Sequence, residues 1–476
     1  MSIAGDTRRA LGPLRCLIAV IAILAFLTPT AQCQQGGPTQ QPVVQVPNTG
    51  AQSTGIPITQ KPTAPEPVES SGPKRHPDLP VLGYVTPWNS RGKQLVEDYR
   101  DKFDLVSPVW YTVHADEANV NDVYVVRGGP PAEEDEAWYQ RLQKPTASSD
   151  AALKPLQVVP RFILDGWDQE DFQNLLFNET RWALLSAAIM DVVVERSFDG
   201  VVFESGASYA LGAPLTKLSE LLHAKDKLLV LVMPPVRAPG DGMTDIILQP
   251  MAGLSHYVDY FSIMTYDMTG PGGRELHDGA AFPEGSSIRQ AIAKGQAREP
   301  GPNTSAGWVR DNLVAFVEAS AAGAMDPSQS PAESRWASRK FLMGTPLYGY
   351  KYPVLFVDKN TGDLVKPGSR PKNNDAVAPV LRGAGEPIIM SAILDMIKEK
   401  RAKVLKSEEH GEYFFDYEQR PGTGAWRVFL PTSESISKVF DTIQDVVDDD
   451  FEYAFGGAGV ALWEVGQSST GLLASI

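Results

Sequence analysis

The sequence predicts an α/β protein built as a (β/α)8 TIM barrel, and two observations lead to this fold class. Eight short, wholly apolar segments alternate with amphipathic stretches, which is typical of a parallel sheet covered on both faces. No GxGxxG motif follows the first segment, which disfavours a doubly wound dinucleotide-binding sheet. The strands are predicted at residues 80–86, 103–110, 156–164, 198–203, 228–233, 260–265, 341–345 and 459–463.

Amphipathic stretches separate most of these strands. Residues 182–194 carry apolar side chains at helical spacing. Residues 433–447 do the same, with Thr432 or Ser433 as the N-cap and Glu434 in the first turn. Both stretches are therefore predicted to be helices that cover the sheet.

The interval between strands seven and eight is too long for one barrel unit. It contains strand-like pieces at 354–357, 413–417 and 426–429. We predict a small α+β insertion, at about 352–430, between strand 7 and its following helix, where it would form one wall of a groove. Residues 270–306 are rich in glycine and proline, and we expect an irregular loop there.

The composition excludes several classes of function. The chain has 476 residues, with 43 Lys and Arg against 58 Asp and Glu, and a formal net charge of −15. A nucleic-acid partner is not expected, because phosphate binding needs a basic face. Two cysteines exclude a Cys-rich metal site, and none of the six histidines lies in an HExxH motif. We predict neither a metal nor a cofactor.

The N-terminal region predicts export. Residues 1–33 combine Arg8, Arg9 and Arg15 with an apolar run over 17–27 and a small-residue cleavage site, as in a signal peptide. A membrane anchor is the alternative, but the run is short of the roughly 20 residues that a spanning helix needs. No membrane span is therefore predicted in the mature chain.

Residues 34–76, rich in Pro, Gln and Thr, are predicted to be a disordered linker, and 77–476 the barrel. Asn178 and Asn303 lie in glycosylation sequons, consistent with a secreted, extracellular or lysosomal protein.

Aromatic and carboxylate side chains cluster at the carboxyl ends of the predicted strands, where barrels of this type carry their sites. Sugar rings stack on aromatic side chains and donate hydroxyl hydrogens to carboxylates. The sequence therefore predicts a carbohydrate groove, with candidate residues Tyr84, Trp88, Trp110, Asp165, Trp167, Glu204, Met233, Tyr266, Asp267, Tyr348 and Trp463.

Five motifs in barrel order resemble glycoside hydrolase family 18, the chitinase family. Residues 198–206 align with its fourth-strand DGxDxDxE, and 264–267 with its MxYD. Residues 344–349 match its GxPxYG, 165–167 take the place of its GGW, and Trp463 that of its eighth-strand tryptophan. The resemblance implies a TIM barrel, chitin-like or other N-acetylated oligosaccharides as ligands, and a glutamic acid that protonates the leaving oxygen.

The sequence departs from this family at the catalytic motif. The resemblance places Asp199 in the first aspartate slot, Val202 in the second and Glu204 in the third, and the slot of the acid is Gly206. Because glycine has no side chain, no catalytic residue can be assigned. We expect Glu204 to be buried and hydrogen-bonded, with Tyr266 as a candidate partner.

Three functions stay open at this point. The first, which resembles the chitinase-like lectins, is oligosaccharide binding without hydrolysis. The second is hydrolysis through a displaced carboxylate, for which Asp165, Asp267 and Glu464 are the candidates. The third is a vestigial barrel that binds a protein, and a receptor or sorting protein is a further partner to consider.

Overall fold

The computed structural model describes residues 72, 74–116, 123–144, 146–147, 152–237, 242–324, 340–366, 376–418, 424–445 and 458–476. The predicted signal peptide and nearly all of the predicted linker lie outside the described residues. The last part of that linker is not a tether. Lys74 is buried and donates hydrogen bonds to the Leu79 carbonyl and to Asp104, so the chain already packs on the barrel at residue 74.

Short strands form most of the described framework, and they fall into one large parallel-rich sheet and three antiparallel groups. In chain order they are β1 (Val81–Val85), β2 (Leu105–Pro108), β3 (Tyr111–Ala115), β4 (Tyr124–Gly128), β5 (Thr146–Ala147), β6 (Ala152–Leu153), β7 (Gln157–Val158), β8 (Arg161–Leu164), β9 (Gly200–Glu204), β10 (Leu228–Met233), β11 (Tyr260–Ile263), β12 (Arg274–Glu275), β13 (Arg298–Glu299), β14 (Phe341–Pro346), β15 (Tyr348–Asp358), β16 (Val377–Leu381), β17 (Glu386–Ile389), β18 (Leu405–Lys406), β19 (Tyr413–Glu418), β20 (Ala425–Leu430) and β21 (Gly459–Trp463).

Helices follow most of the parallel strands and cover the outside of the sheet. They are α1 (Arg91–Asp98), α2 (Glu133–Leu142), α3 (Gln169–Leu176), α4 (Glu179–Glu195), α5 (Gly212–His223), α6 (Gly242–Leu248), α7 (Met251–Leu254), α8 (Ser287–Ala293), α9 (Ala306–Ala324), α10 (Met390–Lys400), α11 (Ser433–Asp445) and α12 (Thr470–Ala474). Within the described part of the chain, no helix combines the length and the apolar character needed to cross a bilayer.

The parallel sheet curls as in a (β/α)8 barrel. β1 pairs with β2 on one side and with β21 on the other, and β21 pairs with β14. β11, β10, β9 and β8 continue the parallel series. The predicted third strand is interrupted, so that β7 pairs with β2 while β8 pairs with β3. The TIM-barrel-like α/β fold predicted from strand–helix alternation is thus confirmed.

A second sheet precedes α11. The long strand β15 is antiparallel to β16, β17 and β20, and β20 pairs in turn with β19. The sheet begins at Tyr348, directly after β14, rather than near 352 as the sequence suggested. Helix α10 lies against it, with Ile393 close to Gly349 of β15.

Residues 270–306 are more regular than expected. They contain the antiparallel pair β12–β13 and helix α8. The segment packs on the second sheet through Leu276, Phe282 and Ile288, which meet Val357 and Ala378 in one apolar cluster. The expectation of an irregular loop was wrong because burial of these apolar side chains orders the chain despite its glycines.

Candidate functional site

The interior of the barrel is lined by every second residue of its strands. Val202 and Val230 point inward and pack with Tyr84, Leu342 and Ala461. Since side chains alternate along a strand, Glu204 at the end of β9 faces the interior as well. Positions 202 and 204 therefore share the interior face of the barrel.

Glu204 is buried in an ion pair inside the barrel. Its Oε2 accepts a hydrogen bond from Nη1 of Arg161 at 3.0 Å, and Arg161 is at the start of the neighbouring strand β8. The side chains are 8% and 12% exposed. Glu204 is thus buried as expected, and its charged partner is Arg161, a residue that the sequence analysis did not consider.

Gly206 is not part of the strand. β9 ends at Glu204, and the chain enters a turn in which the Ser208 hydroxyl accepts from the Ser205 amide. Gly206 is exposed, and a Cβ placed on it would meet open space. The position that the resemblance gives to the acid therefore faces solvent with no side chain.

Trp463 lies at the end of β21 above the interior face. Its ring meets the edge of Tyr84 at a centroid distance of 5.2 Å and stacks on Tyr266 at 6.3 Å with an interplanar angle of 17°. The Tyr84 hydroxyl donates to Ser262 below. The three aromatic residues that the sequence placed at different strand ends thus form one cluster at the mouth.

Asp267 forms the acceptor side of the mouth. Its Oδ1 accepts from the hydroxyls of Tyr348 at 2.5 Å and Tyr350 at 2.9 Å. Its backbone amide donates to Asn303 Oδ1, and its backbone φ of +55° is left-handed. An exposed guanidinium, that of Arg237, donates to the Asp267 carbonyl. The two phenols therefore hold the carboxylate of Asp267, and Asn303 and Arg237 hold its backbone.

Burial keeps the phenols of the mouth protonated. It is the main cause that raises the pKa of Tyr84 and Tyr266, and the nearby Glu204 carboxylate raises both further. For Tyr348 and Tyr350, burial again comes first and the charge of Asp267 second. These phenols can therefore donate hydrogen bonds over the whole physiological pH range.

Solved structures share this fold. No protein-family model matches the chain. A chitinase from Chromobacterium violaceum superposes with a TM-score of 0.56 at 16% identity, over 83% of this chain and 97% of its own. The C-terminal domain of a putative chitinase from Desulfitobacterium hafniense gives 0.56 at 18%, over 83% and 98%. A GH18 chitinase from Cycas revoluta, in complex with (GlcNAc)3, gives 0.55 at 13%, over 83% and 98%.

The fold is a family 18 chitinase-like fold. At these identities the likeness is one of architecture, so the roles of individual residues have to come from the geometry of this chain. On that chitinase-like fold, the structure brings together five of the candidate residues at the mouth, buries Glu204 in the barrel interior near them, and sets the others apart. The five are Tyr84, Tyr266, Asp267, Tyr348 and Trp463.

Two candidate residues face the helices instead of the groove. Trp110 packs on Trp138, Tyr139 and Phe198 in the layer between sheet and helices. Met233 is fully buried in the same outer cluster. Because Val232 points into the barrel, the alternation of side chains turns its neighbour Met233 outward. Trp110 and Met233, expected to contact sugar, are therefore core residues.

The end of β8 carries Asp165 and Trp167. Trp167 donates through Nε1 to the Val113 carbonyl and stacks on Tyr124 at 5.4 Å, so one face of its ring is occupied. Asp165 is 57% exposed, with His114 3.9 Å away. Trp88, just after β1, is 54% exposed and offers a free ring. These positions stay candidates for contacts at the rim.

Two carboxylates have structural partners. Asp199 lies before β9, at the opposite end of the barrel, and its Oδ2 accepts from the Val158 amide and from Gln143. Glu464 is buried and accepts from Asn89 and from the Gly466 amide. Asp199 therefore lies away from the mouth, whereas Glu464, which directly follows Trp463, has its carboxylate held by Asn89 and Gly466.

The two sequons differ in accessibility. Asn178 caps α4 through Oδ1, and its side chain is exposed. Asn303 is buried, and its Nδ2 donates to the Tyr348 carbonyl. A glycan on that nitrogen is incompatible with this arrangement, so Asn303 is a support of Asp267 and not a glycosylation site of the folded chain.

Sequence reasoning missed Arg161, Arg237 and Tyr350. Arg161 is the one charged residue in the apolar run 156–164, which was a usable signal, because a charge at an inward position needs a partner. Tyr350 follows Tyr348 at a spacing of two and so shares its face. Arg237 lies in a loop after β10, and no pattern in the sequence indicated it.

Proposed function

We propose that this chain binds chitin-like oligosaccharides of N-acetylglucosamine at the barrel mouth and does not hydrolyse them. The observation that carries the proposal is the state of the fourth-strand carboxylate position. Gly206 offers no side chain, and Glu204 is buried in an ion pair with Arg161. A general acid must come within hydrogen-bond reach of the glycosidic oxygen, and neither residue supplies one.

Two of the three candidate carboxylates are already held by other groups. Glu464 is buried and accepts from Asn89 and from the Gly466 amide. Asp267 does lie at the mouth, but Tyr348 and Tyr350 both donate to its Oδ1. Two donors suit a carboxylate that accepts further hydrogen bonds from sugar hydroxyls, and they oppose its use as a proton donor.

The mouth retains what sugar binding needs. Trp463 is partly buried and rests on Tyr84 and Tyr266, so it is a preorganised platform for the apolar face of a sugar ring. Asp267 supplies an acceptor beside it. The Tyr352 hydroxyl donates to the Gly270 carbonyl, so the segment after Asp267 is tied to the second sheet beside the mouth. A protein ligand, the second candidate function, would contact this segment.

Two finer statements belong to the same proposal. The sequences at 82–89, 301–303 and 308–310 resemble chitinase domain-containing protein 1, and we assign the chain to that group of chitinase-like lectins. Export through residues 1–33 is the matching route to an extracellular or lysosomal destination. N-terminal sequencing of the protein secreted by an expressing cell would detect cleavage near residue 33.

A calorimetric titration with chitopentaose tests the binding. We expect saturable binding by the full chain and at least a tenfold weaker Kd for Trp463→Ala, since stacking of a sugar ring on the indole is lost. Trp426→Ala is the matched control. Trp426 lies between Lys351 and Arg382 on the second sheet, and its loss should leave the Kd unchanged.

Mass spectrometry of the same sugar tests the absence of hydrolysis. After long incubation at acidic and neutral pH, the pentaose should stay intact. Shorter products that disappear in Asp267→Asn would establish an active hydrolase instead. Absence of any binding, with a folded chain, would leave the protein-ligand alternative.

A further inference from the structure

A single buried ion pair links two neighbouring strands inside the barrel. Arg161 on β8 and Glu204 on β9 project from the interior face of the parallel pair, with Arg161 in register with Val202. The Nε of Arg161 is also buried and has no hydrogen-bond partner among the described residues. The guanidinium is thus held chiefly by the carboxylate of Glu204.

The pair lies on the same interior face as Val202, which is in register with Arg161 and packs in one apolar cluster with Tyr84 and Trp463. The charges of Glu204 and Arg161 both act on the hydroxyls of Tyr84 and Tyr266, in opposite directions. These two tyrosines are the rings on which Trp463 rests. The ion pair and the tyrosines that support Trp463 therefore occupy one region of the barrel interior.

A buried ion pair is a poor source of stability but a good source of fixed geometry. Apolar residues of similar volume often replace such a pair without loss of stability, whereas removing one partner leaves an uncompensated charge. The paired guanidinium and carboxylate also restrict two long side chains to one arrangement. Methionine in the same places would fill the volume but adopt several rotamers.

We propose that Arg161 is a positioning residue for sugar binding: its ion pair with Glu204 fixes Tyr84 and Tyr266, and through them sets the orientation of Trp463. This inference rests on the proposed sugar-binding function. It assigns to the ion pair a role in affinity that is separate from its effect on stability.

The test separates stability from positioning. Arg161→Met should lower the melting temperature and weaken the chitopentaose Kd. The double variant Arg161→Met with Glu204→Met should restore the melting temperature, because no unpaired charge is left. In that double variant we expect the Kd to stay about tenfold weaker, equivalent to about 1.4 kcal/mol.

A spectroscopic signal reports the platform without any sugar. In protein labelled with 5-fluorotryptophan, the resonance of Trp463, assigned by its loss in Trp463→Phe, should be shifted or broadened in both variants. Arg427→Met is the matched control. Arg427 pairs with Asp416 on the second sheet at the same side-chain exposures of 12% and 8%, so its loss should lower stability but leave the Trp463 resonance and the Kd unchanged.

Two results would overturn the inference. One is a double variant with wild-type affinity and a wild-type Trp463 resonance, which would make the pair only a space-filling element. The other is a single variant that is less stable yet unchanged at Trp463. If the wild-type chain binds no chitopentaose, the proposed function fails, and the fluorine resonance still decides whether the pair orients the tryptophan.

Discussion

At the residue scale, two glycines of the fourth-strand motif differ in the space that their surroundings leave for a side chain. A Cβ on Gly200 would lie 2.3 Å from the Leu228 carbonyl oxygen and 2.6 Å from the Leu228 nitrogen, both of them backbone atoms of the adjacent strand. A Cβ on Gly206 would meet nothing within 4 Å. Gly200 is therefore required by strand packing, whereas the absence of a side chain at Gly206 is not imposed by the fold.

The first prediction compares these glycines. Gly206→Glu should keep the unfolding free energy within about 0.5 kcal/mol of wild type, as for an exposed substitution. Gly200→Ala should lower it by about 3 kcal/mol, because backbone atoms of β10 must move. Chemical denaturation of the two variants checks both values. A large loss of unfolding free energy in Gly206→Glu would show that the folded chain leaves no room for a side chain at position 206.

A second prediction concerns Glu412, a buried carboxyl between β18 and β19. Burial raises its pKa to about 8, against the opposing effects of the Ser435 hydroxyl and the charges of Lys438 and Lys406. Because the folded pKa exceeds the ordinary 4.5, this group contributes stability that is complete below pH 4.5 and is lost as the pH rises through about 8.

Glu412→Gln isolates that contribution, since glutamine mimics the protonated acid. We expect the wild type to lose on the order of 4 kcal/mol relative to the variant between pH 5 and pH 9. Parallel urea titrations over that range measure the difference. Parallel stability curves for the two proteins would contradict a buried, protonated carboxyl.

The residue scale also shows how far the site could be predicted. Tyr84, Asp267 and Trp463 were found because they end apolar strands at the expected edge of the sheet. Met233 was misassigned although the spacing of two along β10 was enough to turn it outward. Arg161 was overlooked because the run around it was read as wholly apolar.

At the element scale, an aspartate precedes three alternate strands of the barrel and binds the strand before it. Asp104 precedes β2 and accepts from the Val81 amide. Asp199 precedes β9 and accepts from the Val158 amide. Asp259 precedes β11 and accepts from the Leu229 amide in the same way. These carboxylates satisfy the first amides of neighbouring strands at the end of the barrel opposite the mouth.

The third prediction follows from this recurrence. Asp199→Ala should lower the unfolding free energy by about 1–3 kcal/mol, because the Val158 amide loses its acceptor. Asp259→Ala should lower the unfolding free energy by a similar amount, because the Leu229 amide loses its acceptor. Neither should change the chitopentaose Kd, because both lie at the far end. A selective loss of sugar affinity in Asp199→Ala would return this residue to the binding site.

The same recurrence was readable in the sequence. Phe103-Asp104, Phe198-Asp199 and Val258-Asp259 each place the acid one position before an apolar strand. Strand positions themselves were predicted well because continuous apolar runs mark buried parallel strands. The hairpin of β3 and β4 was not predicted, because its side chains are only partly buried and its pattern is mixed.

At the scale of the whole molecule, charges join segment 270–306 to the second sheet. Arg274 of β12 contacts Glu299 at 2.8 Å within the segment. It reaches out to both oxygens of Glu409, at 2.7 and 2.8 Å, and donates to His410 Nε2 at 2.8 Å. One guanidinium therefore connects segment 270–306 to the turn between β18 and β19.

The fourth prediction is that Arg274→Met weakens the packing of segment 270–306 on the second sheet. With Arg274 one third exposed, we expect a loss of on the order of 1 kcal/mol in stability and faster hydrogen exchange over residues 270–299. Arg289→Met is the control, since Arg289 donates to Phe282 within the same segment. Equal exchange in the two variants would show that apolar packing alone holds the segment.

The tyrosines around the mouth have a consequence for alkaline solution. Burial raises the pKa of Tyr84, Tyr266, Tyr348, Tyr350 and Tyr352 above the ordinary value. When the protein is titrated with base, the ultraviolet absorbance of phenolate should therefore rise in two stages. Surface tyrosines ionise first and reversibly, and the second stage coincides with unfolding. The pH of the second rise in absorbance thus reports the unfolding of the groove and not the pKa of its individual tyrosines.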